Sequence, residues 1–136
     1  MRAANDSPND APSAVVDRIL DAVERGDVDA VAACYAPGAK IWHNFDELEQ
    51  TVDENLALLG ALVGVLSERK YTVRERYDIP GGIIQMHELN GVLPDGSKFH
   101  LPACMVFRVE DGLIVRIEEY FDSAHFTPLL EHLPAA

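Results

Sequence analysis

The sequence predicts a single α+β domain in which helices come first and an antiparallel sheet follows. Up to about residue 66, apolar residues recur at helical spacing, and from Tyr71 onward they alternate with polar residues as in half-buried strands. The chain has 136 residues, and domains typically contain ~100–150 residues. Residues 1–12 are rich in Asn, Asp, Ser and Pro, so we expect a disordered lead-in there and one domain over 13–136.

Two helices are predicted at the start of this domain. Ser13 is the expected N-cap of the first helix, and Gly26 is expected to end it. Asp27 is placed to cap a second, shorter helix that includes Tyr35, and the Pro–Gly pair at 37–38 is expected to stop it.

A short edge strand and a third helix are predicted next. Residues 39–44 are expected to form the strand. Thr51 and Glu54 have the spacing of a capping box, in which each side chain satisfies a free backbone donor of the other residue. The helix that this box starts has the apolar stripe Leu56, Leu59, Val63 and Leu66.

The second half of the chain predicts an antiparallel meander. Turn sequences rich in Gly, Pro and Asp separate four segments with period-two alternation. The predicted strands are Tyr71–Ile79, Ile83–Leu93, Lys98–Glu110 and Leu113–Asp122, and a short helix, Ser123–Leu133, follows them. Helices are then expected to cover one face of the sheet.

Composition limits the partners and cofactors. The net charge of −12 argues against nucleic acid and anionic membrane surfaces, whose phosphates would repel this chain. No apolar run approaches the ~20 residues of a membrane span, and the N-terminus lacks a secretory signal, so we expect a cytoplasmic protein. No phosphate-binding glycine motif and no metal-ligand spacing of His or Cys is present, so no cofactor and no metal are predicted.

Glu119 is the charged residue of interest in the last strand. Alternation places it on the same face as Val115, Ile117 and Phe121, which is the more apolar face and should meet the helices. Burial disfavours the charged form of a carboxyl, so such a group is suited to proton transfer. The other reading is that Glu119 reaches water or a surface arginine.

The second predicted strand has two possible registers. Its inward residues are either Ile84, Met86, Glu88 and Asn90 or Ile83, Gln85, His87 and Leu89. A slip of one residue exchanges Glu88 for His87, because successive side chains point to opposite faces.

Three segments resemble a known family: Gly-Val-Leu-Pro-Asp-Gly at 91–96, Val-Phe-Arg-Val-Glu-Asp-Gly-Leu-Ile at 106–114 and Glu-Glu-Tyr-Phe-Asp at 118–122. Together with the order of elements they resemble the NTF2-like cone of ketosteroid isomerases, SnoaL-type polyketide cyclases and limonene-1,2-epoxide hydrolases. The resemblance spans roughly residues 15–130 and is strongest to the epoxide hydrolases. It implies a curved antiparallel sheet of four long strands and one short strand around three N-terminal helices, with a short C-terminal helix.

The resemblance also implies site residues. An ungapped alignment puts the two catalytic acids of the epoxide hydrolases on Glu88 and Glu119, which selects the register with Glu88 inward. The Tyr and Asn that hold the attacking water fall on Trp42 and Asn44. Met86 stands where the family has an Arg between the acids.

The resulting hypothesis is a cofactor-independent acid–base enzyme acting on a hydrophobic small molecule. Glu88 or Glu119 would accept a proton from water or carbon, the other would donate one, and Asn44 and Trp42 would orient the reactants. An isomerase-like alignment instead places the base near His43. A non-catalytic ligand-binding module and a purely associative domain with a filled cone are the alternatives.

The assignment of residues to the two faces of the sheet predicts an apolar pocket on one face and a partner surface on the other. The expected pocket residues are Leu56, Leu59, Met86, Asn90, Leu101, Ala103, Phe121 and Phe126. The opposite face of the sheet is expected to carry Ile83, Val106, Ile114 and Tyr120, which is more apolar surface than solvent favours. We therefore expect a homodimer through this outer face, as in the family.

Overall fold

The computed structural model describes residues 8–134, which form a six-stranded curved sheet and four helices. The helices are α1 (Pro12–Arg25), α2 (Val28–Ala32), α3 (Val52–Val65) and α4 (Ser123–Leu130). The strands are β1 (Tyr35–His43), β2 (Glu49–Thr51), β3 (Ser67–Ile79), β4 (Gly82–Val92), β5 (Lys98–Glu110) and β6 (Leu113–Phe121). Their order in the sheet is β2-β1-β6-β5-β4-β3. The predicted α+β class is confirmed, with one strand more than expected.

The start of α1 differs from the expected position. A 3-10 turn, Pro8–Asp10, precedes the helix, and the N-cap position is Ala11 rather than Ser13. Ala11 has no side chain that could accept a capping hydrogen bond, but Pro12 in the first turn has a fixed φ that suits a helix start. Part of the predicted lead-in, residues 1–7, lies outside the described residues and stays a prediction.

The predicted apolar stripe of α1 is fully buried against the concave face of the sheet. Burial of each such side chain contributes about 1.5–3 kcal/mol, so this stripe is a main attachment of the helix. Gly26 adopts φ 75° and ends the helix by bonding back to the last turn, as expected. The buried residues of the stripe are Val15, Val16, Ile19, Leu20 and Val23.

The segment after α2 corrects the prediction. Asp27 caps α2 as expected, accepting a hydrogen bond from the Ala30 N–H, but the helix ends at Ala32. Tyr35 begins β1 instead of continuing the helix, because it pairs in parallel with Ile114 of β6. A register shift between Tyr35 and Lys40 accommodates the Pro–Gly pair within the strand. β1 therefore lies inside the sheet, and the short β2 forms the edge.

The capping box of α3 is confirmed. The Thr51 N–H donates to Glu54 Oε1 at 2.9 Å, and the Glu54 N–H donates to Thr51 Oγ1 at 3.2 Å. The helix lies over the concave face and buries Asn55 and Leu62.

A β-bulge in β6 changes which residues face the core. Arg108 pairs with Arg116, and Val109 pairs with Ile114, so Val115 is the extra residue. Ile114 is consequently buried rather than on the outer face. Ile83 was also expected on the outer face, but it is fully buried because it belongs to the inward set of β4. The outer face is less apolar than the alternation predicted. Within residues 8–134, no helix is long and apolar enough to cross a membrane.

Candidate functional site

A central cavity lies between α1, α3, α4 and the concave face of the sheet. It offers about 90 Å³ for the centres of water-sized molecules, whereas a single water needs only ~10–15 Å³ by this measure. Its wall is mainly apolar and carries five polar side chains: Tyr35, His43, Asn55, Tyr71 and Glu119. The other lining residues are Ile19, Leu20, Val23, Ile41, Phe45, Leu58, Leu59, Leu62, Leu89, Leu101, Met105, Phe107, Ile117, Phe121 and Phe126.

His43 and Glu119 form a pair in the wall of this cavity. The two residues are opposite each other on the parallel strands β1 and β6, and His43 Nε2 lies 3.2 Å from Glu119 Oε1. Both side chains are largely buried, with 8% and 16% of their areas exposed. His43 Nδ1 is buried without a hydrogen-bond partner.

The proton of neutral His43 is therefore best placed on Nε2. A proton on Nδ1 would be a buried donor with no acceptor, and burying an unsatisfied donor costs about 1–3 kcal/mol. On Nε2 the proton is donated to the Glu119 carboxylate. This hydrogen bond orients the carboxylate inside an apolar wall.

Two tyrosines supply hydroxyl groups to the cavity. Burial, with the nearby charge of Glu119, raises the pKa of both Tyr35 and Tyr71, so both remain protonated donors at neutral pH. The Tyr35 hydroxyl donates to Asn55 Oδ1 at 2.9 Å, and Asn55 in turn donates to Gln50. No hydrogen bond within residues 8–134 engages the Tyr71 hydroxyl, which leaves it available to a ligand.

Behind Tyr71 lies a second buried histidine. The His87 ring contacts the Tyr71 ring edge to face, with centroids 5.0 Å apart. Burial lowers the pKa of His87, the charge of Glu119 opposes this, and Arg76 adds to it. His87 Nδ1 lies 2.7 Å from Gln85 Nε2, and Arg76 Nε donates to Gln85 Oε1 at 2.6 Å.

Glu88 does not face the cavity. Its carboxylate lies on the outer face of the sheet, where Arg74 binds it at 2.5 Å. Met86 and Asn90 share that face, Met86 exposed and Asn90 hydrogen-bonded to His100. The inward residues of β4 are Ile83, Gln85, His87 and Leu89, all at most 5% exposed. The register with Glu88 inward is therefore wrong, and the alternative register, with His87 inward, is the correct one.

Trp42 and Asn44 are likewise outside the cavity wall. Trp42 projects from the outer face of β1 and packs against Tyr120, with ring centroids 5.2 Å apart. The Asn44 side chain bonds both the N–H and the C=O of Phe121, at 3.0 and 3.1 Å. Asn44 thus extends the pairing of β1 with β6, and its side chain binds the backbone rather than a group in the cavity.

Of the predicted pocket residues, Leu59, Leu101, Phe121 and Phe126 line the cavity. Leu56 is only half-buried on α3 and packs against the core beside the cavity. Ala103 is on the inner face but belongs to the cluster around Phe99 and Leu129 rather than to the cavity wall.

The sequence pattern left Gln85 and His87 as one of two possible inward sets and gave Tyr71 no role. The signal that favours the observed set is the apolar residue at each of its ends, Ile83 and Leu89, whereas the other set ends in Asn90. In residues 8–134, no three His, Cys, Asp or Glu side chains are arranged to hold a metal ion.

Comparison with known proteins identifies the family. A family of SnoaL-like domains matches residues 16–117. No curated protein sequence matches this chain. The fold is similar to that of PrhC from Penicillium brasilianum, with TM-score 0.80 at 14% identity over 93% of this chain and 89% of that one.

Two further structures are similar at 20% identity. One is an NTF2-like protein of unknown function from Burkholderia pseudomallei, with TM-score 0.73 over 95% of this chain and all of that one. The other is an LEH-like epoxide hydrolase from M. tuberculosis, with TM-score 0.72 over 90% of this chain and 91% of that one. At these identities the likeness concerns the fold. The match over residues 16–117 shows that the chain belongs to the SnoaL-like family, and its fold is NTF2-like.

Proposed function

We propose that this protein is a cofactor-independent acid–base enzyme that acts on a hydrophobic small molecule in the central cavity. The observation that carries the proposal is the His43–Glu119 pair, held at 3.2 Å in the wall of an otherwise apolar cavity. A buried carboxylate that can reach a ligand is a group suited to proton transfer. The cavity is open rather than filled by side chains, which favours binding of a ligand over a purely associative role for the domain.

In the proposed reaction, Glu119 accepts a proton from a carbon acid or from a water. His43 donates Nε2–H to the carboxylate and so holds it in place. With a carbon acid, the proton moves to Glu119 and the electron pair of the broken C–H bond moves toward an oxygen of the substrate, which becomes negative. With a water, the oxygen that loses its proton to Glu119 bonds to a substrate carbon, the existing C–O bond of that carbon breaks, and its electron pair stays on the leaving oxygen, which becomes negative. The apolar wall excludes water and strengthens these interactions.

Tyr71 is the proposed donor to that oxygen. Its pKa is raised by burial and by Glu119, so the hydroxyl is protonated, and no residue of the described chain occupies it. This assignment replaces the earlier expectation that Glu88, Trp42 and Asn44 complete the site. The epoxide hydrolase from M. tuberculosis supports hydrolysis as one form of such chemistry, while Met86, which the alignment places at the family's arginine position, is exposed on the outer face.

The test compares two glutamate variants on strands β6 and β4. Apolar ketones and epoxides are incubated in D2O with the wild type, and product or deuterium incorporation is measured by mass spectrometry. Glu119→Gln should lower the rate about 10²–10⁴-fold, the usual contribution of a general base. Glu88→Gln, on the outer face beside Arg74, should leave the rate unchanged.

Equal effects of the two variants would contradict the role of Glu119. If ligands bind but none is converted or exchanges hydrogen, the protein is a binding module instead. In that case Glu119→Gln should leave ligand affinity nearly unchanged. Calorimetry on the same ligands measures this affinity.

We also propose a homodimer through the outer face of the sheet. Tyr120 and Met86 are 47% and 37% exposed there and flank a groove that includes Pro102 and Cys104. Apolar surface of this kind is commonly covered by a partner. A cytoplasmic location and independence from cofactors stay predictions from the sequence.

A further inference from the structure

A line of buried hydrogen bonds connects α1 with His87. At the surface end, the Arg76 guanidinium contacts the Asp17 carboxylate and the Ser13 hydroxyl, each at 2.8 Å. Arg76 Nε donates to Gln85 Oε1, and Gln85 Nε2 faces His87 Nδ1. Gln85 is fully buried and His87 is 2% exposed.

The chemistry of these groups fixes the direction of every hydrogen bond in the line. A guanidinium can only donate, so the atom of Gln85 that faces Arg76 must be the amide oxygen. The amide NH2 then faces His87, and because an NH2 group also only donates, His87 Nδ1 must accept. The proton of the neutral imidazole is therefore on Nε2.

We propose that Gln85 sets the tautomer of His87 and holds it as a neutral imidazole whose Nε2 carries the proton, so that the free ring nitrogen is a donor rather than a base. Protonation of Nδ1 would turn an N–H toward the N–H of Gln85 and remove the hydrogen bond between them. Arg76 keeps the amide from rotating to relieve this conflict, since rotation would present NH2 to the guanidinium.

The proposal gives the two histidines of the site separate tasks. His43 donates to Glu119, whereas the accepting nitrogen of His87 is already occupied. The charged and titratable groups that face His87 are Arg76 and Tyr71 on β3 and Glu119 on β6. Because the accepting nitrogen of His87 is engaged by Gln85, Glu119 is the proposed proton acceptor of the site. The inference rests on the hydrogen-bond line alone and holds equally for an enzyme and for a binding module.

Nuclear magnetic resonance of the ligand-free protein tests the proposal. Long-range ¹H–¹⁵N spectra of ¹⁵N-labelled protein distinguish the Nε2–H tautomer, the Nδ1–H tautomer and the cation. The signals of His87 are assigned by their loss in His87→Gln. We expect the Nε2–H pattern in the wild type, unchanged across neutral pH.

Two substitutions at Gln85 complete the test. Gln85→Glu keeps an acceptor for Arg76 but presents carboxylate oxygen to His87, so His87 should switch to Nδ1–H or to the cation. Gln85→Met removes the donor but puts no acceptor at Nδ1, so it should keep the Nε2–H pattern while the Nδ1 signal shifts because its hydrogen bond is lost. A wild-type His87 found as Nδ1–H or as a cation near neutral pH would overturn the proposal, and so would an unchanged Nε2–H pattern in Gln85→Glu. Because no substrate is involved, either failure is independent of the proposed reaction.

Discussion

At the residue scale, His87 makes the stability of the fold depend on pH. Its pKa is lowered in the folded chain, first because burial disfavours the imidazolium; Glu119 opposes this shift, and Arg76 adds to it. The unfolded chain, in which a histidine has a pKa of about 6.5, binds the proton first as the pH falls. The contribution of His87 to the free energy of unfolding should therefore be fully present above about pH 6.5, and the free energy of unfolding should decrease below that pH.

Urea unfolding at about pH 7.5 and about pH 5.5 measures this contribution, which cannot exceed about 1.4 kcal/mol per pH unit for a single proton. His87→Gln removes the titrating group and should flatten the dependence. His100→Gln, an exposed histidine on the outer face, is the control and should keep it. A slope that is the same in all three proteins would show that His87 does not contribute.

The location of Glu119 could be predicted from the sequence, whereas that of its neighbours could not. Glu119 is separated from the bulge in β6 by several residues of regular alternation, so its face follows from Ile117 and Phe121. In β4 each possible face contains two apolar and two polar residues, so the number of apolar residues does not choose between Glu88 and His87. The choice depends on the Arg76–Gln85 bond, a contact between strands that no single-strand pattern contains.

At the element scale, one arginine connects two helices to the sheet. Arg69 of β3 donates to Val23 O at 2.9 Å and Glu24 O at 3.2 Å at the end of α1. It also donates to Val63 O at 3.3 Å and to Leu66 O at the end of α3. The final carbonyls of a helix lack partners within the helix and carry partial negative charge, which a guanidinium satisfies.

Replacement of Arg69 by Met should therefore lower the free energy of unfolding by about 2–4 kcal/mol, because several carbonyls lose a charged donor together. The neighbouring Lys70 provides a matched control. It is 73% exposed and lies 3.9 Å from Glu24, so Lys70→Met should change stability by less than about 0.5 kcal/mol. Chemical denaturation of both variants measures the difference, and similar losses would show that Arg69 does not act as a shared cap.

The helices and hairpins of this fold follow from local signals, but β1 does not. Caps and turns depend only on residues a few positions apart in the sequence. Asp27, Thr51 and the hairpin between β5 and β6 could therefore be placed from sequence alone. Tyr35 has helical spacing with Val28 and Val31, which predicts that it belongs to the same helix. Its pairing with Ile114, some eighty residues away, outweighs this local preference.

At the scale of the whole molecule, net charge and the outer face have opposite effects on association. The charge of −12 makes two copies repel each other. On the outer face, however, arginines offset part of the negative charge: Arg74 pairs with Glu88, and Arg116 pairs with Glu49 and Glu118. The groove beside them also exposes the apolar side chains of Tyr120 and Met86, which favour association. Added salt should strengthen association by screening the remaining repulsion.

The proposed dimer can be tested by placing a charge in this groove. Tyr120 is 47% exposed and packs against Trp42. Tyr120→Glu would bury an unpaired carboxylate in the interface and should shift the protein from dimer to monomer in analytical ultracentrifugation. Leu130→Glu changes a residue of similar exposure, 44%, on α4, away from the outer face, and should leave the dimer intact. A wild type that sediments as a monomer at high concentration and in high salt would disprove this interface, and the apolar groove would then need another explanation.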